Sequence, residues 1–365
     1  MFFSPVHWEN YPYRDQTLPE KLAKSGYECI FINPYRYRNW EESSRLKSYR
    51  KRELQENIKI VNRSTTLTKS FKSFLLESRN NCKQIEEHKP DFIYSSDHLM
   101  TWNVIKYAYK KKIPFVFDVT DDWSFADPSI IGSFLWKQLN RKNIIKYASA
   151  ISCVSHKQYD FFNKKHPNVY LIPNAIEEEQ IRKCQEFIPK EDKMEVNFIG
   201  SLRDWYDFDL LFSVFNEIPS LQLHIYGDGP LLKKLEEKSK ERDNIHIHGN
   251  IEHSKTFELL SNSLFGIIPL KNNELNQSTL PIKLLDYWSA TKVVISTPTS
   301  EIKKTAKEIV LYAETKEEWK KHILDLTNNK EKRTRIGKQS LAQLTSSHLY
   351  KKITQDFIRI FEQLN

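Results

Sequence analysis

The sequence predicts an α/β protein built as two similar halves, each a parallel sheet with its helices, followed by C-terminal helices. Three observations predict it. Short runs of aliphatic, β-branched and aromatic residues alternate with helix-length amphipathic stretches along nearly the whole chain, the pattern of buried parallel strands joined by crossover helices. The alternation pauses after IPN at 172–174 and restarts near 194. The 365 residues, 39% hydrophobic and 13% aromatic, fit about two domains by the usual size prior and exclude wholesale disorder.

In the first half the expected strands are MFFSPV (1–6), ECIFIN (28–33), IKIVN (58–62), DFIYSS (91–96), PFVFDV (114–119), AISCVS (150–155) and NVYLIP (168–173). Between the first two, QTLPEKLAKSG closes on Gly26, as a helix C-terminus should. EEEQIRKCQEFIPKEDK (177–193) is charged, has no strand signal and reads as a domain connection. The second set of strands is MEVNFIG (194–200), LQLHIYG (221–227), NIHIHG (244–249), SLFGIIPL (263–270), KVVIST (292–297) and EIVLYA (308–313). From 315 the pattern is helical to the closing YKKITQDFIRIFEQLN. The expected domains are therefore 1–175, 176–347 and a last helix, 348–365, returning to the first half. Open parallel sheets bind ligands beyond the carboxyl ends of their strands, so the cleft between the halves is the expected site.

Several classes are excluded. Eight glycines are too few for collagen-like or glycine-linker architectures. The longest apolar runs are far shorter than the roughly 18 residues a membrane helix needs. MFFSPVHWENYPYRD lacks the basic leader and apolar stretch of a signal peptide, so a cytoplasmic location is expected. Cys29, Cys82, Cys153 and Cys184 form no CxxC pair, which leaves no zinc or redox motif.

The net charge is +9, and its placement is uneven. Residues 1–190 carry 31 Lys and Arg against 22 Asp and Glu, whereas 191–365 carry 25 of each. Basic stretches interleaved with aromatics, around Tyr35, Tyr37, Trp40, Tyr109 and Trp136, read either as solvated helix faces or as a surface for an anionic membrane. No nucleic-acid-binding signature accompanies them.

The segment NNELNQSTLPIKLLDYWSATKVVIST (272–297) carries most of the chemistry. Ser278 or Thr279 is expected to cap a helix with Pro281 in its first turn, and the free amides there favour an anion. Lys283 places a cation beside them, and Asp286, three residues on, shares its face and suits a ribose diol. The segment reads as a nucleotide site or as an ordinary capped helix.

This stretch resembles the donor-sugar motif of GT-B glycosyltransferases of family 4 (glycosyl transferases group 1), often PxKLxEYxAxGKPVVxT. FIGSLRDWYDFDLL (198–211) is similar to the opening strand, loop and helix of that family's nucleotide-binding domain, and IYGDGPLLKKLEE (225–237) to its GDGP turn. The segment 244–270 follows in the family's order, and the first half matches more loosely, closest to teichuronic-acid and polysaccharide biosynthesis enzymes. The resemblance implies two Rossmann-like domains and a metal-independent hexosyltransferase that uses a nucleoside-diphosphate-sugar as substrate, without a cofactor and with retention. It implies Gly200 and Ser201 beside the donor phosphates, Arg203 and Lys283 as the cations that stabilise the leaving diphosphate, and Asp286 on the ribose. Gly249, Asn250 and Ile251 would line the base pocket. Glu274 with Ser278, Thr279 and Leu280 would meet the transferred sugar. Asp97, His98, Asp121 and Asp122 would face the acceptor. His7 and Trp8, just past the first strand, read either as reaching the acceptor or as packing.

The pattern departs from the family in four places, two of them being Thr291 for the glycine of AGKP and Arg203 alone for the RxxxxKG signal. Ser278 stands where the first of two glutamates belongs, with Glu274 as substitute, and Asp286 replaces the second. The expected function is sugar transfer to a lipid-linked or glycan acceptor in cell-surface glycan synthesis, at the inner face of the plasma membrane. The alternatives are a catalytically degenerate binding subunit and a nucleotide-sugar epimerase. Two weaker patterns, DFD (207–209) and the histidines 246, 248 and 253, are expected to be helix capping and packing rather than metal sites.

Overall fold

The computed structural model describes residues 1–9, 14–34, 36–37, 54–62, 66–67, 71–97, 101–120, 131–188 and 193–364. The chain divides into two compact units, one of Met1–Pro173 with Tyr350–Asn365 and one of Asn174–Leu349.

In the first unit the strands are β1 (Phe2–Phe3), β2 (Cys29–Ile32), β3 (Arg36–Tyr37), β4 (Ile58–Val61), β5 (Thr66–Leu67), β6 (Ile93–Ser95), β7 (Phe115–Val119), β8 (Ala150–Cys153) and β9 (Val169–Leu171). The helices are α1 (Arg14–Lys24), α2 (Phe71–His88), α3 (Thr101–Lys111), α4 (Ile131–Tyr147) and α5 (His156–Asn163). Seven strands form one parallel sheet in the order β4-β2-β1-β6-β7-β8-β9. β3 and β5 pair separately, a small sheet the sequence pattern does not reveal. All five residues of β7 are buried, which is why FVFDV reads as an unbroken apolar strand apart from Asp118. Asp118 has no exposed surface, yet its carboxylate is fully employed. It accepts from Arg14 Nε at 2.6 Å, Tyr94 Oη at 2.5 Å and Ser152 Oγ at 2.5 Å. Arg14 spends its remaining donors on the carbonyls of Ile172 (3.0 Å) and Pro173 (2.8 Å).

In the second unit the chain runs α6 (Glu178–Gln185), β10 (Glu195–Ile199), α7 (Phe208–Phe215), β11 (Gln222–Tyr226), α8 (Leu232–Ser239), β12 (Ile245–Gly249), α9 (His253–Asn262) and β13 (Gly266–Ile268). It continues through α10 (Glu274–Ser278), α11 (Ile282–Ser289), β14 (Val294–Ser296), α12 (Ser300–Ala306), β15 (Val310–Tyr312), α13 (Lys316–Asn328) and α14 (Lys330–Ser347). Two three-stranded parallel sheets, β10-β11-β12 and β13-β14-β15, lie side by side, with Leu264 N donating to Glu195 O at 2.9 Å. Their core is filled by Phe198, Phe215, Phe265, Trp288 and Trp319, all without appreciable exposure.

The first unit is completed by α15 (Tyr350–Leu364), which packs on α1. Its buried residues Ile353, Phe357, Ile360 and Phe361 recur at helical spacing and form one apolar stripe. Phe357 meets the Tyr94 ring at 5.7 Å and carries the Arg14 guanidinium at 5.3 Å.

Two expectations need correction. The charged stretch 177–193 is not a bare connection, because α6 buries Ile181 and Cys184, three residues apart, against the second unit's core. The helix expected to start at Ser278 or Thr279 starts at Ile282 with Pro281 as N-cap, since Ser278 ends the short helix α10. Among the described residues no helix is long and apolar enough to cross a membrane.

Candidate functional site

The carboxyl ends of β10, β11 and β12 are joined by backbone hydrogen bonds. Gly200 N donates to Tyr226 O at 2.9 Å, and Gly227 N to Gly249 O at 2.6 Å. Gly200 and Gly227 have φ of +141° and +137°, which only glycine adopts freely. At both positions the lost side chain makes room: a Cβ on Gly227 would overlap the Gly200 carbonyl, and one on Gly200 would overlap the Lys283 ammonium.

Lys283 projects from the first turn of α11 into that space. Its side chain is buried, with Nζ donating to Ile199 O and lying 4.5 Å from the Phe198 ring centre and 5.5 Å from that of Tyr206. Among the described residues no carboxylate forms an ion pair with it. Burial pushes the amine down to about 8, opposed by the nearby charge of Asp286. An amine so placed gains from any anion that arrives, because the anion removes the penalty of burying the charge. Pro281 offers no side-chain cap, so the amides at the start of α11 favour the same anion.

Asp286 lies one turn along α11. Its Oδ1 accepts from Gln180 Nε2 at 2.8 Å, whereas Oδ2 has no hydrogen-bond partner among the described residues. Burial raises the carboxyl's pKa, against the Gln180 hydrogen bond and the Lys283 charge. Arg203 lies in the loop after Gly200, with Nε donating to Ser201 Oγ at 3.4 Å and its guanidinium 5.6 Å from the Trp205 ring centre. It too forms no ion pair with a carboxylate among the described residues. The result is two cations and two glycines at the carboxyl end of one sheet, with a half-satisfied carboxylate alongside.

The other expected residues fall into three groups. Gly249 ends β12 and Asn250 and Ile251 follow it, and Ser201 and Thr279 lie in loops of the same unit. Glu274 is exposed at the start of α10, which Asn276 ties to Trp205 O (3.0 Å) and Lys271 O (2.7 Å). Ser278 turns its hydroxyl onto the carbonyls of Glu274 and Leu275, and Leu280 is a core residue at 1% exposure. Any role of Leu280 toward a donor therefore belongs to its backbone.

On the first unit, Asp97 is buried just beyond β6, its amide donating to Ser95 Oγ at 3.2 Å. Of the two readings open to Trp8 its side chain takes the packed one, with its ring against Phe31 at 5.0 Å and its amide on Asn33 Oδ1 at 2.8 Å. His7 is half-buried near Glu9. His98, Asp121 and Asp122 lie outside the described residues.

The weaker patterns resolve as packing. Asp207 caps α7 by accepting from Leu210 N at 2.9 Å, and Asp209 pairs with Lys238. His246 and His248 gather with His224 rather than His253, with His224 Nδ1 and His248 Nε2 2.9 Å apart. Among the described residues no three His, Cys, Asp or Glu side chains form a metal-binding group. Gln180 and Trp205, which hold Asp286 and Arg203, escaped the sequence reading. The Ile181 and Cys184 spacing in α6 was the signal that could have placed Gln180 on a packed helix.

Residues 179–343 match the family model of Glycosyl transferases group 1. This group 1 domain coincides with the second unit and contains every donor-side residue named above. No curated protein sequence matches the chain. Among solved structures, sucrose-phosphate synthase from Thermosynechococcus elongatus is similar over 100% of this chain and 98% of its own, with a TM-score of 0.77 at 12% identity. Anabaena HepE, solved with UDP and glucose, is similar over 99% of this chain and 98% of its own, with a TM-score of 0.70 at 12% identity. WaaG, a glycosyltransferase involved in lipopolysaccharide biosynthesis, is similar over 99% of both chains, with a TM-score of 0.67 at 13% identity. The likeness is one of fold, the α/β GT-B fold, with the group 1 domain in its second half. It does not single out the teichuronic-acid subgroup.

Proposed function

We propose that the protein is a glycosyltransferase that moves a sugar from a nucleoside-diphosphate-sugar to a lipid-linked or glycan acceptor, with retention and without a metal. The observation that carries this reading is the buried Lys283 amine, unpaired with any described carboxylate, at the Gly200 turn. HepE's structures with UDP and with UDP-glucose support a uridine nucleotide as the first donor to try. In this reading Lys283, Arg203 and the first amides of α11 hold the diphosphate. Asp286 accepts hydrogen bonds from the ribose hydroxyls, and the stretch from Gly249 to Ile251 receives the base.

The chemistry follows from charge. As the bond between the sugar's anomeric carbon and the phosphate oxygen breaks, its electron pair goes to the leaving diphosphate. Negative charge then grows where the two cations already stand, and preorganised donors stabilise it without rearranging. The acceptor hydroxyl oxygen forms the new bond at the anomeric carbon, and its proton leaves with the diphosphate. Asp97, His98, Asp121, Asp122 and His7 remain the proposed acceptor-side residues.

The acceptor's proposed place is an anionic membrane surface. On the first unit α3 and α4 pack together and carry Lys110, Lys111, Arg141, Lys142 and Lys146, with Lys112 just past the end of α3. Tyr109, 60% exposed, lies against Tyr147 with ring centres 5.2 Å apart and planes inclined at 60°. Tyr35 and Trp40 lie outside the described residues. The deciding experiment offers purified protein UDP-glucose, UDP-galactose and UDP-N-acetylglucosamine with membrane extract and follows radiolabel. Label passing into lipid or polymer supports transfer. UDP binding without turnover is the signature of a degenerate subunit, and an isomerised free nucleotide-sugar that of an epimerase.

A further inference from the structure

Asp286 does not stand alone on its helix. Gln180, 106 residues earlier in the chain and on a different helix, donates through Nε2 to Asp286 Oδ1 at 2.8 Å and to Ser289 Oγ at 3.2 Å. Ser289 in turn donates to the Asp286 carbonyl at 2.6 Å and lies 3.6 Å from Cys184 Sγ. One amide group thus grips both the side chain of Asp286 and a hydroxyl bonded to its backbone. The grip is anchored, because Ile181 and Cys184 of α6 are buried beside it.

The consequence is directional. With Oδ1 taken by a donor from α6, the carboxylate cannot rotate about its last bond without breaking that hydrogen bond, and Oδ2 is left as the open acceptor. A carboxylate accepts about four hydrogen bonds in two in-plane directions for each oxygen. Fixing one oxygen therefore fixes where the other can take them. Asp286 is also one methylene shorter than glutamate, so it has less reach with which to search for a ligand. An orientation imposed from outside its helix matters more for it.

We propose that Gln180 is a positioning residue that aims Asp286 Oδ2 at the ribose 2′-hydroxyl, so that it sets the preference for a ribonucleotide over a 2′-deoxyribonucleotide. The inference rests on the donor reading given above. Gln180 touches no substrate in this scheme. It acts through the geometry of Asp286, and its effect is confined to ligands that offer a hydroxyl to Oδ2.

That confinement supplies the test. Titration calorimetry compares UDP with 2′-deoxy-UDP on the full-length wild type and on Gln180→Leu, which keeps the side chain's bulk and removes its donor. Gln180→Glu, measured alongside, places a second carboxyl against the first. Wild type is expected to prefer UDP by about tenfold or more, the scale of one hydrogen bond to a charged group. In Gln180→Leu the preference should shrink to about threefold or less through loss of UDP affinity, while 2′-deoxy-UDP binds within about twofold of wild type. In Gln180→Glu the preference should return as the pH falls, when one carboxyl of the pair takes up a proton and again donates to the other.

A merely structural role for Gln180 would weaken both nucleotides alike and leave their ratio unchanged in both variants, and that result overturns the inference while the donor reading stands. If wild type binds neither UDP nor GDP, the donor reading fails and the inference falls with it. A Gln180→Leu protein too unstable to titrate leaves the decision to Gln180→Glu, where a ratio equal to wild type at every pH is again refutation.

Discussion

Replacing Lys283 by methionine should stabilise the protein and at the same time weaken donor binding by about 100-fold. The amine titrates at about 8 instead of the 10.5 of a free lysine because it is buried, its pull from Asp286 being the smaller effect. A displacement of that size corresponds to about 3 kcal/mol, the cost at neutral pH of holding the charge in the ligand-free fold. The sign follows directly. Below pH 8 the lysine is charged in both folded and unfolded chains and the full penalty applies. Between about 8 and 10.5 the unfolded chain holds the proton and the folded one does not, so stability rises with pH across that window. Lys283→Met fills the same channel without charge. Its urea midpoint at pH 7 should rise by the equivalent of up to about 3 kcal/mol, and the gain over wild type should fade toward pH 10.

The same amine predicts proton uptake. Wild type at pH 8 holds the Lys283 proton in about half of the molecules, and a bound diphosphate restores it in nearly all, so UDP binding should take up about half a proton at pH 8 and almost none at pH 6.5. Calorimetry in buffers of different ionisation enthalpy measures this. In Lys283→Met residual binding, weakened by about 100-fold, should show no uptake at either pH. A methionine variant less stable than wild type that still binds UDP normally would refute the reasoning, as would equal uptake by both proteins.

Four further outcomes follow. Asp286→Ala should weaken UDP by one to two orders of magnitude, a charged hydrogen bond being worth roughly 1.5 to 3 kcal/mol, and unchanged affinity rules the ribose role out. Arg14→Leu strands the buried Asp118 carboxylate and should lower unfolding free energy by about 3 to 5 kcal/mol, read from urea curves, and an unchanged midpoint would show the cluster to be inert. Burial and the neighbouring imidazoles hold His224 down at about 4, so stability should drop as the pH falls from about 6.5 toward 4. His224→Phe should flatten that slope in an acid melting series. Phosphatidylglycerol vesicles should sediment wild type at low salt and release it near 0.5 M, a rough value set by screening. Charge reversal at Lys110, Lys111, Lys112, Arg141 and Lys142 should weaken capture, and equal capture by neutral vesicles defeats the membrane reading.

The strands of the seven-stranded sheet and of the two three-stranded sheets were legible because buried parallel strands read as apolar runs, FVFDV at β7 being the clearest, whereas the two-residue strands β3 and β5 carry no such run. Lys283 was readable as a cation at a helix start from the local run of hydroxyls, proline and lysine, whereas Gly200 and Arg203 were reached only through the family resemblance. What stayed hidden is nonlocal or concealed by composition. α6 opens with glutamates that mask its buried Ile181 and Cys184. Ser278 has the hydroxyl of a cap, yet it is satisfied by the carbonyls of the turn before it, and Pro281 takes the N-cap instead. Trp8, two residues past a strand run and polar at one edge, reads equally well as ligand platform or core, and only the Phe31 ring beside it decides. No local rule pairs Gln180 with Asp286, or brings His224 to His248.

The first unit takes its last helix from the stretch of chain that follows the second. Arg14 binds the carbonyls of Ile172 and Pro173 and lies against Phe357, and α15 covers α1. On the ribosome, residues 1–173 therefore emerge with an apolar face whose cover has not yet been made. The second unit, continuous from Asn174 to Leu349, has all its strands before α15 appears and can finish first. The earliest-made unit is then the last to close, and Phe92 and Tyr94, which meet the Phe361 and Phe357 rings of α15 at 5.0 and 5.7 Å, wait uncovered for some 170 further residues, roughly ten to thirty-five seconds at about 5 to 20 residues per second. Chaperones that hold apolar surface during synthesis should act on this unit, and ribosome-stalled chains ending before Tyr350 should show it protease-sensitive while the second unit is already resistant.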